Sequence, residues 1–436
     1  MKNATDKSPM LWVPTLYFAE GIPYFLVNTI SVVMFTDMGM PNGQMSLYTS
    51  LLYLPWVIKP LWSPFVDLLK NKHWWIMAMQ IAMSVAMLLL PFVLPHGDGA
   101  SFTSAPLFFI TLGLFWITAF ASATHDIAAD GFYMLALDPN DQAKYVGLRS
   151  TFYRLSSIFG QGVLVALAGV IDRYAGSVHL AWQLTLILSG AIFACITLYH
   201  TWHLPTPQDD NMNSPRTAKD VMEEFVHTFV SFFSKRHIVL ALAFMLLYRL
   251  PEAFLVKMMN PFMLNDMAYG GLGMTKEEVG LVYGTIGIFA LTVGGILGGF
   301  AASKWGLKQS LWPMALSLAL PCLSFVFLAI FQPENNWIIG SCVALDQFGY
   351  GFGFTAYMLY LIYFSDGKFK TAHYSICTGF MALSMMLPGL VAGYVQEWLG
   401  YTNFFIFVMV CCLCTVAVTL AARSVIDPEF GKKSIK

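Results

Sequence analysis

Apolar residues are grouped along the chain in runs of about 20 residues or more, separated by short polar segments. A helix needs about 20 apolar residues to cross the hydrocarbon core of a bilayer, so each run predicts a membrane-spanning helix. Twelve such spans are predicted, at Leu11–Phe35, Met45–Val66, His73–Leu94, Ala105–Met134, Ala143–Ile171, Ala181–His203, His237–Leu264, Val279–Trp305, Ser310–Phe331, Asn336–Ser365, Ala372–Trp398 and Tyr401–Arg423.

A long polar stretch, Leu204–Lys235, separates the sixth span from the seventh and contains three prolines and several charges. The pattern therefore predicts an all-α integral membrane protein with 12 transmembrane helices in two six-helix halves. The predicted halves are residues 1–203 and 237–436, joined by a cytoplasmic linker at 204–236. The first run is too long for the apolar region of a cleavable signal peptide.

The composition agrees with a lipid environment, because 57% of the residues are hydrophobic and 11% are charged. Soluble domains carry about 25% charged residues. The net charge of −1 argues against nucleic-acid binding, which needs a basic surface. The seven cysteines lie in apolar runs without the spacing of zinc ligands, so no metal or other cofactor is expected. We expect a monomer.

Lysine and arginine are distributed unevenly between the two sets of loops. If both termini and the linker lie on one side, only Arg173 and Lys276 fall in loops on the other. Cytoplasmic loops carry the excess of positive charge in membrane proteins. Both termini are therefore predicted to be cytoplasmic.

Ionisable residues inside the spans are the strongest functional signal. Each one facing lipid would cost about 2.5–3.5 kcal/mol, so they must face one another or a wet cavity. The ten residues are Glu20, Lys59, Asp126, Asp130, Arg149, Arg154, Arg249, Glu252, Lys257 and Asp346.

Spans one, four, seven and ten each carry an acid, namely Glu20, Asp126, Glu252 and Asp346. A poorly hydrated carboxyl group favours its protonated form, which suits proton coupling. We expect Glu20 to take up the proton, because Gly21 and Pro23 loosen the helix beside it. Asp126 and Asp130 are further candidates for proton coupling.

Lys59, Asp126, Asp130 and Arg149 lie towards the cytoplasmic ends of their spans. Asp126 and Asp130 are four residues apart and share a helix face. These residues are predicted to form a gate or ion-pair network, and an alternative role is to hold the helices together. Arg154 lies at a depth similar to that of Glu20 and is a further pairing partner.

Tyrosines at similar depth predict a binding surface for sugar rings, which aromatic side chains stack on. Ordinary helix packing is the alternative interpretation for each of them. In span seven, Arg249 and Glu252 are three residues apart and are expected to pair. The predicted solute-binding residues are Tyr24, Tyr153, Arg154, Arg249, Glu252, Asp346 and Tyr350.

Two short basic loops occupy equivalent places in the two halves. The first reads Ser-Pro-Phe-Val-Asp-Leu-Leu-Lys-Asn-Lys over Ser63–Lys72, and the second reads Gly-Phe-Ala-Ala-Ser-Lys-Trp-Gly-Leu-Lys over Gly299–Lys308. They resemble the Gly-x-x-x-Asp-Arg-x-Gly-x-Lys loop of the major facilitator superfamily. Asp67 fills the acidic place of the first copy and joins the predicted gate network. The resemblance implies two related six-helix halves.

Span four resembles that of one branch of this superfamily, the muropeptide permeases. It reads Ser-Ala-Thr-His-Asp-Ile-Ala-Ala-Asp-Gly over Ser122–Gly131, where the family pattern is Ser-Ala-Thr-Gln-Asp-Ile-x-x-Asp-Ala. Lys59–Pro64 followed by Asp67 is similar to the family's Lys-Phe-Leu-Trp-Ser-Pro-Leu-x-Asp. Tyr248–Glu252 is similar to Tyr-Lys-Leu-Gly-Asp. His125 replaces the family glutamine and is assigned to the gate network.

The resemblance implies a proton-driven symporter that imports a sugar-containing solute across a bacterial cytoplasmic membrane. The solute would be a muropeptide, an anhydro-amino sugar or an oligosaccharide. A carrier of acetyl-CoA or another anionic solute is the alternative, with Arg154 and Lys59 binding phosphates. A membrane enzyme or a non-transporting receptor is a further alternative. The chain has no nucleotide-binding loop or nucleophile elbow, so no enzymatic activity is expected.

Overall fold

The computed structural model describes residues 7–95, 106–137, 139–206, 218–367 and 369–431, and these ranges contain helices and no strands. The predicted all-α class is confirmed. The helices are α1 Pro9–Phe25, α2 Ser31–Asp37, α3 Asn42–Leu51, α4 Leu54–Leu69, α5 Lys72–Leu89, α6 Pro106–Ala136, α7 Pro139–Ser157, α8 Val165–Ala175, α9 Val178–His203, α10 Ala218–Phe233, α11 Ile238–Leu247, α12 Leu250–Leu264, α13 Lys276–Leu281, α14 Ile288–Ala319, α15 Cys322–Phe331, α16 Asn336–Ser365 and α17 Lys370–Val425.

The chain folds into two compact units, each with its own apolar core. The first unit contains Met1–Met40 and Ile58–Phe225, and the second contains Pro41–Val57 and Val226–Lys436. Helix α3 therefore groups with the second unit, although it precedes most of the first in sequence. The predicted division at 204–236 stays a prediction.

Two helical stretches are too long to cross a bilayer once. Lys276–Phe331 has 56 residues and Ala372–Val425 has 54. At 1.5 Å per residue, a straight helix of that length would measure about 80 Å, against about 30 Å of hydrocarbon. The first bends at Gly306 and the second at Gly400, where φ is 77° and 71°. Each stretch therefore supplies two spans, as predicted.

Eight helical stretches in the described part of the chain are long and apolar enough to cross a membrane, counting each bent stretch once. Between them lie α3 followed by α4, and α16, which cover two more predicted spans. The helices are thus consistent with twelve spans, and the chain is a multi-pass membrane protein.

Several spans are interrupted close to their polar residues. π-Helical segments at Leu26–Ile30, Ile158–Leu164 and Val282–Gly287 interrupt the first, fifth and eighth spans. The seventh is broken between α11 and α12, where Arg249 leaves the helical conformation. Such irregular turns occur frequently at functional sites because they free backbone groups and redirect side chains.

The linker contains an element that the sequence reading missed, the amphipathic helix α10. Its Phe229 and Phe232 pack against the core of the second unit. A ring nitrogen of His373 lies 2.9 Å from the Ser231 hydroxyl, and Lys235 follows the helix and donates to two carbonyl oxygens near the end of α16. The end of the linker is therefore fixed to the second unit.

Helices α3 and α17 approach each other closely within the second unit. An ideal Cβ atom on Gly393 would lie 1.9 Å from the carbonyl oxygen of Asn42, so this place admits only glycine. We call the contact the α3–α17 clasp. Its hydrogen bonds run from Asn42 Nδ2 to Gln396 Oε1 (2.7 Å) and to the Tyr401 hydroxyl (3.0 Å), from Gly43 N to Glu397 Oε1 (2.7 Å), and from Gly393 N to Ser46 Oγ (2.9 Å).

Candidate functional site

The charged residues of the first unit meet around one face of α6. Asp126 and Asp130 lie one turn apart on this helix and point the same way. Lys59 of α4 forms an ion pair with Asp126, and Arg149 of α7 forms one with Asp130. The four residues predicted as an ion-pair network are thus brought together by three helices.

Glu20 of α1 joins this group. One carboxyl oxygen of Glu20 lies within 4.8 Å of those of Asp126 and Asp130, and Glu20 Oε2 is buried without a hydrogen-bond partner among the described residues. Arg149 and Lys59 are cations that interact electrostatically with Glu20. We call Glu20, Lys59, Asp126, Asp130 and Arg149 the charged cluster.

Tyrosine rings hold Arg149 in place. Its guanidinium carbon lies 4.3 Å from the ring centre of Tyr17 and 5.5 Å from that of Tyr133. The Tyr17 hydroxyl lies 3.5 Å from Asp130 Oδ1. Cation–π contacts of this kind stabilise a desolvated arginine and fix its direction towards the carboxylate.

The residues of the charged cluster differ in how exposed they are. Glu20 is 7% exposed, the side chains of Lys59 and Asp126 are 19% and 21% exposed, and that of Asp130 is 43% exposed. Among the carboxyl groups of the charged cluster, Asp130 is therefore the most exposed and Glu20 the least.

Carboxyl groups whose oxygens lie within 4.8 Å of one another, as those of Glu20 and Asp126 do, influence each other's protonation. An ionised carboxylate only accepts hydrogen bonds, so a bond between Glu20 and Asp126 requires that one of them carry a proton. Two ionised carboxylates in this position would repel each other, and the proton relieves that repulsion. The arrangement is suited to holding and releasing a single proton.

His125 lies in a separate hydrogen-bonded chain on the side of α6 that faces α5 and α9. Its Nε2 is 3.0 Å from Gln80 Nε2, and Gln80 Oε1 is 2.9 Å from His200 Nδ1. His200 Nε2 is in turn 2.9 Å from the Thr15 hydroxyl. Among the described residues His125 therefore joins no ion pair, and it belongs instead to a hydrogen-bonded chain that connects α1, α5, α6 and α9.

The predicted solute-binding residues of the first unit lie together where α1 meets α7. The rings of Tyr24 and Tyr153 are 6.5 Å apart, and Phe25 packs against Tyr153 at 5.7 Å. Arg154 follows on α7 and is half-buried. The helices approach closely here, because a Cβ atom on Gly21 would lie 1.7 Å from Ser156 Oγ.

In the second unit, Arg249 turns to aromatic residues of α16. Its Nη2 donates to the Tyr350 hydroxyl at 2.6 Å, and its guanidinium carbon lies 4.7 Å from the Phe354 ring centre. The predicted Arg249–Glu252 pair is not a hydrogen bond, because neither carboxyl oxygen of the fully buried Glu252 has a hydrogen-bond partner in the described ranges. Asp346 is also buried and accepts one hydrogen bond, from Gln347.

Gln80 and His200 are residues that the sequence reading missed, although both stand out as polar side chains in apolar runs. Their burial and mutual hydrogen bond explain how they are tolerated there. Asp67 lies on α4, but its side chain is outside the described residues.

The sequence is similar to known transporters over most of its length. It is 24% identical over 417 residues to the anhydromuropeptide permease of Escherichia coli strain K12, covering 94% of this chain and 79% of the relative. It is 26% identical over 392 residues to a putative AmpG transporter of Rickettsia bellii, covering 86% and 88%. The expected resemblance to muropeptide permeases is confirmed.

The fold is similar to that of solved transporters. A bacterial homologue of the human lysosomal transporter Spinster superposes with a TM-score of 0.71, covering 97% of this chain and 98% of that structure at 14% identity. The sequence model of the Major Facilitator Superfamily matches residues 15–371. The charged cluster and the broken spans thus occur in a solute transporter, and the chain belongs to the Major Facilitator Superfamily.

Proposed function

We propose that this transporter is a proton-coupled symporter that imports a sugar-containing solute such as a muropeptide, an anhydro-amino sugar or an oligosaccharide. The observation that carries the proposal is the approach of the Glu20, Asp126 and Asp130 carboxyl groups to within 4.8 Å of one another inside the charged cluster. In this arrangement Glu20 binds the transported proton, and Asp126 and Asp130 pass it to and from water.

The charges of the cluster support the uptake of one proton. Glu20, Asp126 and Asp130 carry three negative charges when ionised, whereas Lys59 and Arg149 carry two positive charges. One proton makes the cluster neutral, and a neutral cluster is favoured in a medium of low dielectric constant. Binding and release of that proton therefore change the cost of moving the helices that carry the cluster.

A proton fits this site better than a sodium ion. A sodium ion needs several oxygen ligands and would have to bind beside Lys59 and Arg149, which already occupy Asp126 and Asp130. The two cationic side chains would repel the sodium ion strongly where water is scarce. A proton adds its charge directly to one carboxyl group and needs no space.

Two observations support the proposed solute class. One relative is named for anhydromuropeptide, a sugar that carries peptide. Tyr24 and Tyr153 in the first unit, and Tyr350 beside Arg249 in the second, provide rings and hydroxyl groups of the kind that bind saccharides.

Uptake by purified protein in lipid vesicles tests the proposal. An inward proton gradient should drive accumulation of an anhydromuropeptide, and an equal sodium gradient at constant pH should not. Acetyl-CoA serves as the rival solute. Accumulation driven by sodium alone, or of acetyl-CoA in place of the sugar, would contradict the proposal.

We further propose a bacterial cytoplasmic membrane location with both termini and the linker in the cytoplasm, on the basis of the lysine and arginine distribution. Ser214→Cys in the linker should not react with a membrane-impermeant thiol reagent added to intact cells. Ser177→Cys, in the loop before α9, is the control and should react. Ready labelling of the linker would overturn the orientation.

A further inference from the structure

Helix α10 carries a row of exposed apolar side chains in addition to those that pack against the second unit. Met222, Val226, Val230 and Phe233 are 44%, 52%, 60% and 46% exposed. At about 100° per residue, these four positions fall within an arc of about 80° on the helix surface. We call them the apolar stripe of α10. Large apolar side chains that share one exposed face mark an interaction surface.

The apolar stripe is one of three faces of the helix. Thr228 and Phe232 are buried, and they lie about 140° around the helix from the middle of the stripe. The exposed side chains of Glu224 and His227 occupy the sector between the stripe and the buried face. A helix in the angle between a protein and a membrane surface needs one face for protein, one for lipid and one for water. The side chains of α10 meet this requirement.

The packing of α10 on the second unit places its C-terminal end at the level of the membrane. The ring centres of Phe232 and Phe233 lie 6.3 and 6.4 Å from that of Phe380. Phe380 comes eight residues, or about 12 Å of helix, after Ala372, where an apolar membrane-spanning stretch begins. Headgroups occupy only about 5–8 Å on each side of the hydrocarbon core, so this end of α10 lies as deep as the acyl chains.

The chain enters the bilayer directly after this helix. Helix α10 ends at Phe233, and α11 begins the seventh span at Ile238. Val239, in the first turn of that span, is 78% exposed, as a side chain that faces lipid should be. The short connection between the helices is fixed by the two hydrogen bonds that Lys235 donates near the end of α16. The apolar stripe therefore continues into the lipid-facing surface of the transporter.

Charged residues around the stripe are balanced. Residues 219–236 contain three basic residues, Lys219, Lys235 and Arg236, and three acidic residues, Asp220, Glu223 and Glu224. Helices that are drawn to anionic lipids carry an excess of lysine and arginine on their polar face. Contact between α10 and a membrane therefore depends on apolar burial and not on the charge of the lipid.

We propose that α10 is an interfacial helix, which lies along the membrane surface with its apolar stripe inserted among lipid acyl chains whether or not the lipid is anionic. Helices of this kind bury their apolar face about 5–10 Å into the boundary between headgroups and acyl chains. The inference goes beyond the proposed function, because it holds for any solute and any coupling ion.

Nitroxide labels on the full-length protein in lipid nanodiscs test the inference. Val226→Cys and Val230→Cys report on the stripe, and Glu224→Cys and His227→Cys on the polar face, in a chain whose seven native cysteines are replaced by alanine. Molecular oxygen concentrates among acyl chains, whereas a charge-neutral nickel chelate stays in water. Labels on the stripe should collide more often with oxygen than with the chelate, and labels on the polar face should show the reverse order.

The same labels distinguish lipid from other occupants of the stripe. Frequent collision with the chelate at Val226 and Val230 would show that the stripe faces water. Rare collision with both reagents would show that a second copy or another protein covers it. Either result would overturn the inference. Adding phosphatidylglycerol to phosphatidylcholine nanodiscs should change nothing, and insertion that appears only with the anionic lipid would also contradict the proposal.

Amide hydrogen exchange gives a second test that leaves the native cysteines in place. Val226→Glu should raise the exchange rate of α10 in nanodiscs about tenfold, the effect of withdrawing one valine from an apolar medium. His227→Glu is the matched control, since it places the same side chain one residue along, on the polar face, and it should exchange as the parent does. Equal exchange rates in the two variants would exclude insertion of the stripe.

Discussion

Glu20→Gln should abolish uphill accumulation of solute and leave solute exchange across the membrane intact. Glutamine at this position permanently imitates the protonated carboxyl. With glutamine, the remaining two acids and two cations of the charged cluster are neutral without any proton, so the conformational change no longer requires proton binding. Exchange involves no net movement of protons and should continue. Both rates are measured in vesicles, one with an imposed pH gradient and the other with solute on both sides.

Glu334→Gln, an exposed carboxylate in the loop before α16, is the matched control and should behave as the parent does. Full gradient-driven accumulation by Glu20→Gln would exclude Glu20 and assign the proton to Asp126. Loss of exchange together with accumulation would mark Glu20 as a binding or structural residue.

Asp126→Asn should destabilise the protein by about 3 kcal/mol and slow transport, because it leaves Lys59 buried without its counter-ion. The estimate is at the lower end of the range for buried pairs, since about a fifth of each side chain remains exposed. Thermal unfolding in detergent and initial uptake rates give the two readouts.

Adding Lys59→Met to Asp126→Asn should restore much of the stability, because no unpaired cation remains. It also returns the cluster to one excess negative charge, so proton-driven accumulation should recover in part. Glu223→Gln, which breaks the exposed Lys219–Glu223 pair of α10, is the control and should cost less than about 1 kcal/mol. If Asp126→Asn and Lys59→Met each transport at the parental rate, then the charged cluster has no role in transport.

Most of the fold could be predicted from the sequence, because the thickness of the hydrocarbon core sets the length of each apolar span. The predicted breaks after Trp305 and Trp398 coincide with the bends at Gly306 and Gly400. Helix α10 was missed because its apolar face is short and lies behind a proline-rich segment. The grouping of α3 with the second unit could not be predicted from the sequence either, since hydropathy does not show which helices contact each other.

Only part of the charged cluster could be predicted from the sequence. The spacing of Asp126 and Asp130 gave their shared face, but their partners on α4 and α7 depend on packing. Counting depth from span ends placed Glu20 level with Arg154 and apart from Asp126. In the structure Glu20 lies eleven residues after Pro9 and Asp126 ten residues before Ala136, which gives nearly equal depths. The predicted ends Leu11 and Met134 give nine and eight residues, the same difference, so the separation came from the interpretation and not from the span ends.

The α3–α17 clasp affects how much of the protein adopts a conformation in which α3 and α17 are separated. If α3 must leave α17 during the transport cycle, four hydrogen bonds with a net value of about 0.5–1.5 kcal/mol each have to be broken. The separated form would then be populated about thirty-fold to 10⁴-fold less than the joined form in the absence of compensating contacts. A solute shifts this ratio only as far as it binds the separated form more tightly. Affinity for the rare form, rather than for the resting one, would then decide which solutes are carried quickly.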